Sequence, residues 1–509
     1  VAGGAGLAVP ALLLFASGAA ALIYQVLRVK QFSLVVGVDV YAVTTGVSAF
    51  FAGLALGGAL FGRWADRLPG PFLLYASLEL GVAVFGVVTT LVLAHVASPF
   101  VALEATASPL AWGLLFACVG LPAILMGGTL PALIKSRAPQ PGHVGAAGGL
   151  LYAANTVGAV AGALSTSFLL IPFLGIRGTA LAAATLNLTA AIGALGLGRA
   201  APPHTGVNRP PEPSRPGSHA RLAVVLYAVA GSLALGYEVV WSQALVQFMS
   251  TRSFAFSVVL ATYLMGLVVG SALYARWADR VKDPWGVFGC LIAAAGLVAL
   301  LEIAGLGRWL VILQTVAEAA VLVLTGSDLA GMCARFVVVA LCVVFVPTVL
   351  LGAAFPVALR LAVGTTHVGR DVGRVLALNT LGGIGGVVLT GFVLVPLLGL
   401  VRTLAALAIA AAAVGAVAVT GGSAAPKARW AALAVGIAVL NIAVFTPTDR
   451  LASLLPGARS GTLVFYEEGP GGTVAVVEQQ AGQNRFRRLY IQGVSNSGDA
   501  MPSLRYMRL

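Results

Sequence analysis

Arg63-Trp64-Ala65-Asp66-Arg67 recurs, residue for residue, as Arg276-Trp277-Ala278-Asp279-Arg280, 213 positions later. The same shift carries Gly18, Tyr24, Gly53 and Gly57 onto Gly231, Tyr237, Gly266 and Gly270. Further along, a shift of 225 carries Pro122, Gly127 and Pro131 onto Pro347, Gly352 and Pro356. A shift of 224 then carries His143, Asn155, Thr156, Gly158 and Gly162 onto His367, Asn379, Thr380, Gly382 and Gly386. Matches that keep their order over so long a stretch mark an internal repeat. The change of shift means a net insertion of about a dozen residues in the second copy, which falls in 306–333.

The repeated unit reads as a set of membrane spans. Of 509 residues, 59% are hydrophobic and 9% charged, with a mean hydropathy of +0.98; a soluble globular chain carries roughly 25% charged residues. Apolar runs long enough to cross a bilayer fall near 8–27, 37–61, 71–95, 108–134, 146–171 and 178–198. Six more fall near 222–247, 254–275, 285–305, 334–359, 372–396 and 403–421, with a short interfacial helix at 308–325 and a last run at 430–446. Between the blocks, Pro202, Pro203, Pro210, Pro211, Pro213 and Pro216 exclude a continuous helix, so the stretch is a linker. Two blocks with an even number of spans enter the membrane in the same orientation, the parallel repeat of major facilitator transporters. The expected fold class is therefore an all-α polytopic membrane protein with a major-facilitator-like 6+6 parallel repeat plus one further span, followed by a β-rich soluble start. The expected units are 1–198, a linker at 199–221, 222–421, a linker and thirteenth span at 422–448, and 449–509.

Lys and Arg together number 30 against 17 Asp and Glu, a formal charge of +13. These charges lie between apolar spans, where they set topology and meet anionic head groups, so nucleic acid is not an expected partner and the lipid bilayer is. Basic residues concentrate in the loops after even-numbered spans, which puts both pentapeptides and the N-terminus in the cytoplasm. Residues 8–27 read as a retained span, since no charged segment and cleavage site precede them. Cys118, Cys290, Cys333 and Cys342 lack paired spacing, and the five histidines form no ligand set, so no metal site is expected.

Two groups of residues stand out as functional candidates. Asp66, Arg67, Asp279 and Arg280 close the pentapeptides, which resemble the loop between spans two and three of major facilitator proteins. The downstream Gly-Arg-Lys portion of that loop is missing here. They read equally as a conformational latch between helices and as topology-setting charges with an Asp helix cap. Tyr24, Gln25, Glu79, Tyr237 and Glu238 are the substrate-binding candidates, because polar or ionisable groups at membrane depth are costly unless they face a partner or a cavity. Glu79 leads them, as a carboxylate able to pair with a cationic solute or carry a proton; hydrogen bonding between helices is the competing role. Asn155 and Asn379 read as hydrogen-bonding groups between helices and the Gly-x-x-x-Gly pairs as packing features, and Gly382-Gly383-Ile384-Gly385-Gly386 is no nucleotide loop, since no strand precedes it.

After Asp449 the pattern turns to β, with short runs at 462–466, 472–478 and 486–492 separated by Gly-rich turns. Tyr466-Glu467-Glu468-Gly469-Pro470, Thr473-Val474-Ala475-Val476-Val477-Glu478 and Leu489-Tyr490-Ile491-Gln492-Gly493-Val494 resemble the N-terminal hairpin region of aminopropyltransferases. With the repeat, the whole chain resembles the fused major facilitator/spermidine synthase family of bacterial inner-membrane proteins. That resemblance implies aminopropyl transfer from decarboxylated S-adenosylmethionine, as co-substrate, to a polyamine. Asn496 stands where the family has a donor-contacting Gln, Met501-Pro502 replaces an Asp-Glu pair, and Tyr506 is one residue off the family spacing. No catalytic residue and no cofactor is assigned within the chain, which is expected to be inactive as a transferase by itself. The alternative is a secondary transporter of a small amine solute with the tail as an appendage, and a third reading is a non-transporting scaffold. The oligomeric state is not legible.

Overall fold

The computed structural model describes residues 3–36, 40–68, 70–137, 144–200, 218–246, 252–364, 367–448, 450–451, 461–469, 472–481, 484–491 and 494–498. The first block contains α1 (Gly3–Val36), α2 (Val40–Arg67), α3 (Pro71–Leu93), α4 (Ala97–Arg137), α5 (Val144–Ser165) and α6 (Ile171–Ala200). The second contains α7 (Ser218–Val246), α8 (Arg252–Ala278), α9 (Pro284–Gly305), α10 (Arg308–Thr325), α11 (Asp328–Ala340), α12 (Val346–Ala362), α13 (Val368–Leu389) and α14 (Val395–Gly421), with α15 (Pro426–Phe445) following. Single π-helical turns at Thr166–Leu170, Leu341–Phe345 and Thr390–Leu394 join α5 to α6, α11 to α12 and α13 to α14. Among the described residues twelve helical stretches, three of which run on through these joints, are long and apolar enough to cross a membrane.

The repeat governs packing as well as sequence. α1 packs on α5, α2 on α4 and α3 on α6; α7 packs on α13, α8 on α12 and α9 on α14 in the same way. Within lipid no hydrophobic drive brings helices together, so close backbone approach must do so. A Cβ on Gly158 would sit 1.9 Å from the Phe15 carbonyl oxygen, and one on its repeat mate Gly382 would sit 2.0 Å from that of Ala228. Gly57 and Gly270 repeat the arrangement against Ile124 and Val349. The corners between the last two spans of each block fall at Gly175 (φ 64°) and Gly399 (φ 75°), a left-handed conformation that favours glycine. The halves meet through α2 against α13 and α5 against α8, again a matched pair.

The ends of the helices fix where the insertion and the tail lie. Arg360 near the end of α12 donates to the carbonyls of Ala278 and Val281 at 2.6 and 2.8 Å, placing that end beside the second pentapeptide. Asp283 caps α9 through Gly286 N and accepts from Ala425 N ahead of α15, so α15 starts at this same end. It finishes at the other, where Arg450 donates to the Leu306 carbonyl. α10 thus leaves from the far end after α9 and returns to it before the long α11–α12 rod, bound by the Arg335–Glu318 ion pair at 3.4 Å. It is an excursion beginning at that end of the bundle, in the place expected for the insertion.

The tail folds into one antiparallel meander of β1 (Gly461–Gly469), β2 (Gly472–Ala481), β3 (Asn484–Ile491) and β4 (Val494–Gly498). The first three correspond to the expected β-rich runs and the fourth was not foreseen. Its core is small, formed by Ala475, Val477 and Tyr490. Glu468, which accepts from the Tyr466 hydroxyl, also accepts from the Leu400 backbone N–H just past the Gly399 corner. The sheet therefore docks at the end opposite the pentapeptides. Met501, Pro502 and Tyr506 lie outside the described residues, as does the Pro-rich stretch at 201–217 of the expected linker.

Gly158→Leu forces side-chain atoms into the α1 backbone and should destabilise by about 1–3 kcal/mol. A lowered thermal midpoint of the purified protein would record it, and Gly113→Leu, where a Cβ meets nothing within 4 Å, should leave the midpoint unchanged.

Candidate functional site

Asp66 lies in the last turn of α2, and its carboxylate oxygens accept from Gly369 N and Arg370 N at 2.9 and 2.8 Å. Those amides open α13, in the other half. Asp279, directly after α8, accepts from Gly145 N and Ala146 N at 3.2 and 2.9 Å, the amides that open α5 in the first half. The first amides of a helix have no partner of their own and carry the positive end of its dipole, so a carboxylate is their natural acceptor. The donors are also repeat mates, which makes the contacts reciprocal: each half lends a carboxylate to a helix of the other. Lys135 of α4 adds an ion pair to Asp66 at 3.3 Å. Deeper along the same seam, the Ser271 hydroxyl donates to the Gly149 carbonyl at 3.0 Å, and the Arg360 bonds hold α12 at this end. Arg67 and Arg280 are exposed beside the contacts.

The five intramembrane candidates occupy different places. Tyr24 is fully buried inside the first half, its hydroxyl donating to the Ala180 carbonyl of α6 at 3.2 Å. Tyr237 is its mate inside the second half, stacked on Trp241 with ring centres 5.4 Å apart. Glu79 is also fully buried in the first half, between α1, α3 and α6, where Asn187 Nδ2 donates to its Oε2 at 2.6 Å. Gln25 and Glu238, one residue beyond the two tyrosines, are only half-buried. Glu238 lies in electrostatic range of Tyr263 on α8, which also neighbours Tyr152 of α5 and Tyr227 of α7. Phe355 of α12 completes this group, its ring centre 4.4 Å from that of Tyr152 and 6.1 Å from that of Tyr227. Helices of both halves contribute, so this aromatic group, which reaches Glu238 through Tyr263, straddles the seam.

Sequence reasoning missed Arg28. A first span ending at residue 27 leaves it in a loop, yet α1 runs on to Val36 and buries it. Its guanidinium donates to Thr89 Oγ1 at 2.9 Å and the Val119 carbonyl at 3.3 Å, with the Tyr24 ring centre 5.5 Å away. Gln31 is buried a turn later, donating to the Thr90 carbonyl at 2.8 Å. The available signal was their spacing, since Arg28 and Gln31 continue the helical face begun by Tyr24. Tyr152, Tyr227 and Tyr263 carried no such signal. Among the described residues no group of three or more His, Cys, Asp or Glu is placed to hold a metal ion.

No family model matches the chain, and no curated protein does. Solved structures do. A bacterial homologue of the iron transporter ferroportin, crystallised in an outward-facing state with soaked iron, matches at 12% identity with a TM-score of 0.51. The match covers 86% of this chain and 98% of that one. The helical part has a major-facilitator-like fold. The human organic anion transporter TETRAN matches at 15% identity over 87% of this chain and 98% of its own, with a TM-score of 0.44. This major-facilitator-like likeness is a likeness of fold, and nothing in it supports an aminopropyl-transferring tail.

Thr89→Val strips Arg28 of its shortest hydrogen bond and should cost about 1–3 kcal/mol, as for other buried polar groups left unpaired. Arg28→Met combined with Thr89→Val removes both partners and should recover most of that loss. Thermal unfolding of the two variants checks the pair.

Proposed function

We propose that the protein is a secondary transporter working by alternating access, and that a small cationic amine solute binds between the halves at Glu238. The observation that carries this reading is the reciprocal pair of cross-half carboxylate caps at Asp66 and Asp279. A scaffold needs its halves fixed at any position along the seam; here the hydrogen bonds between the halves, among the described residues, gather toward one end, and the carboxylate caps are duplicated by the repeat. Contacts of that kind break and remake as a unit, as a gate must. With Arg67 and Arg280 they form the latch, on the cytoplasmic face by the distribution of basic loops, in a bacterial inner membrane with the N-terminus inside.

Glu238 supports the choice of solute charge. It has no hydrogen-bond or ion-pair partner among the described residues, and an unpaired carboxylate at membrane depth costs several kcal/mol. A cationic solute would supply the missing partner, and the faces of Tyr152, Tyr227 and Tyr263 suit an ammonium group through cation–π attraction worth about 0.5–2 kcal/mol. Gln25 is the repeat mate of Glu238 and takes a solute-contacting role opposite it. The sheet serves as an appendage that holds the Gly399 corner.

Uptake of labelled putrescine and spermidine into vesicles bearing the purified chain tests the reading. Glu238→Gln should reduce uptake at least about tenfold, the loss of one buried charge contact of about 1.4 kcal/mol or more. Uptake that the variant leaves intact would exclude Glu238 as the solute site, and no uptake of any amine would exclude the solute class. Asp66→Asn together with Asp279→Asn weakens both caps by about 0.3–1 kcal/mol each. Thiol reagents should then reach a cysteine placed at the buried Ala147 faster than in the parent.

A further inference from the structure

The cluster around Glu79 leaves buried acceptor oxygens unsatisfied. Glu79 and Asn187 are 0% and 1% exposed. Asn187 Nδ2 donates to Glu79 Oε2, while Glu79 Oε1 and Asn187 Oδ1 accept no bond of normal hydrogen-bond geometry, although the Ser17 and Tyr75 hydroxyls lie close to the carboxyl. Tyr75, on the same helix, spends its single hydroxyl proton on the Leu13 carbonyl at 2.9 Å. Ser17 of α1 closes the group. Tyr75 is the one titratable neighbour: α1 faces the carboxyl with Ser17 and the Leu13 carbonyl, α6 with Asn187, and α4 with no charged group. The buried cation of this half, Arg28, is committed to Thr89, Val119 and the Tyr24 ring.

The second half is an internal control for what the fold itself requires. By the shifts of the repeat, Ser17, Tyr75, Glu79 and Asn187 correspond to Ala230, Phe288, Ile292 and Ala411. All four of those are buried as deeply, at 3%, 0%, 1% and 1% exposure. The same three-helix packing of α7, α9 and α14 is therefore built with no polar group at any of these positions. Apolar side chains are also the cheaper filling inside a bundle. A role in holding helices together does not account for a polar cluster confined to one half.

We infer that Glu79, ringed by Ser17, Tyr75 and Asn187, is a proton-binding site, taking up a proton on Oε1 and releasing it again as α1, α3 and α6 shift. This rests on the transporter reading, to which it adds a coupling ion. A proton needs no cavity, which matches a carboxyl without solvent exposure. One proton on Oε1 turns an unmatched acceptor into a donor. Its release demands that the packing of α1 against α3 and α6 loosen, which ties protonation to helix movement.

Infrared difference spectroscopy on the full chain in lipid, with carbon-13-labelled glutamate, tests this without any solute, so its outcome is separate from whether an amine is carried. Titration between about pH 5 and about pH 9 should show one buried protonated carboxyl that ionises in this window. The signal should vanish in Glu79→Gln and persist in Glu238→Gln and Glu302→Gln. If Glu79→Gln does not fold, Asn187→Leu must displace the titration. A carboxyl signal unchanged in Glu79→Gln, or no titrating carboxyl in the parent, overturns the inference. So does calorimetric binding of Na⁺, K⁺ or Ca²⁺ that Glu79→Gln abolishes, which would make the cluster a metal site.

Discussion

Two carboxylates that reach across the seam of the bundle organise the protein. Asp66 and Asp279 each end a helix of one half and satisfy the opening amides of a helix in the other. Inside lipid the usual hydrophobic force between helices is absent, so the halves are held by close glycine contacts and by the few polar bonds available. Among the described residues those bonds lie toward one end, which makes that end separable by loss of a few interactions, while α2 against α13 and α5 against α8 remain as the surfaces about which the halves can rock.

The repeat made much of this legible in advance. Identical pentapeptides and matched glycines anticipate the pairing of the helices within each half and the matched contacts between the halves. The helix at 308–325 and the three β-rich runs were also readable from local pattern. What sequence does not carry is partnership across long separations. Nothing near Asp66 announces that its acceptor oxygens meet Gly369 and Arg370, about three hundred residues away, although the repeat makes one cap imply the other. Likewise the ionisable character of Glu79 is plain, but its bond to Asn187 depends on how α3 meets α6. Arg28 was hidden because a charged residue looks like the end of a span, and only the continuation of α1 reveals it as an interior group. The tyrosines near Glu238 resemble any other aromatic residue of an apolar run until four helices bring them together.

The halves are alike in backbone and unlike in chemistry. The first holds Arg28 with Thr89 and, separately, Glu79 with Asn187. The second replaces these with Trp241, Glu302, Ile292 and Ala411, and places its half-buried carboxylate, Glu238, toward the seam. A duplicated scaffold frees one copy to change where the other keeps the packing. On this account the first half carries the ion and the second the solute, with the shared seam converting one into movement around the other.

The most direct test of that account is the distance across both ends of the bundle in one preparation. Spin labels on Trp64 and Arg374 report the latch end, and labels on Val101 and Trp309 report the opposite end, all four positions being exposed. The account predicts two populations with opposed distances, the latch end wide only where the other is narrow, and a shift toward the open latch in Asp66→Asn with Asp279→Asn. A single fixed distance at both ends, unmoved by loss of the two carboxylates, would contradict it.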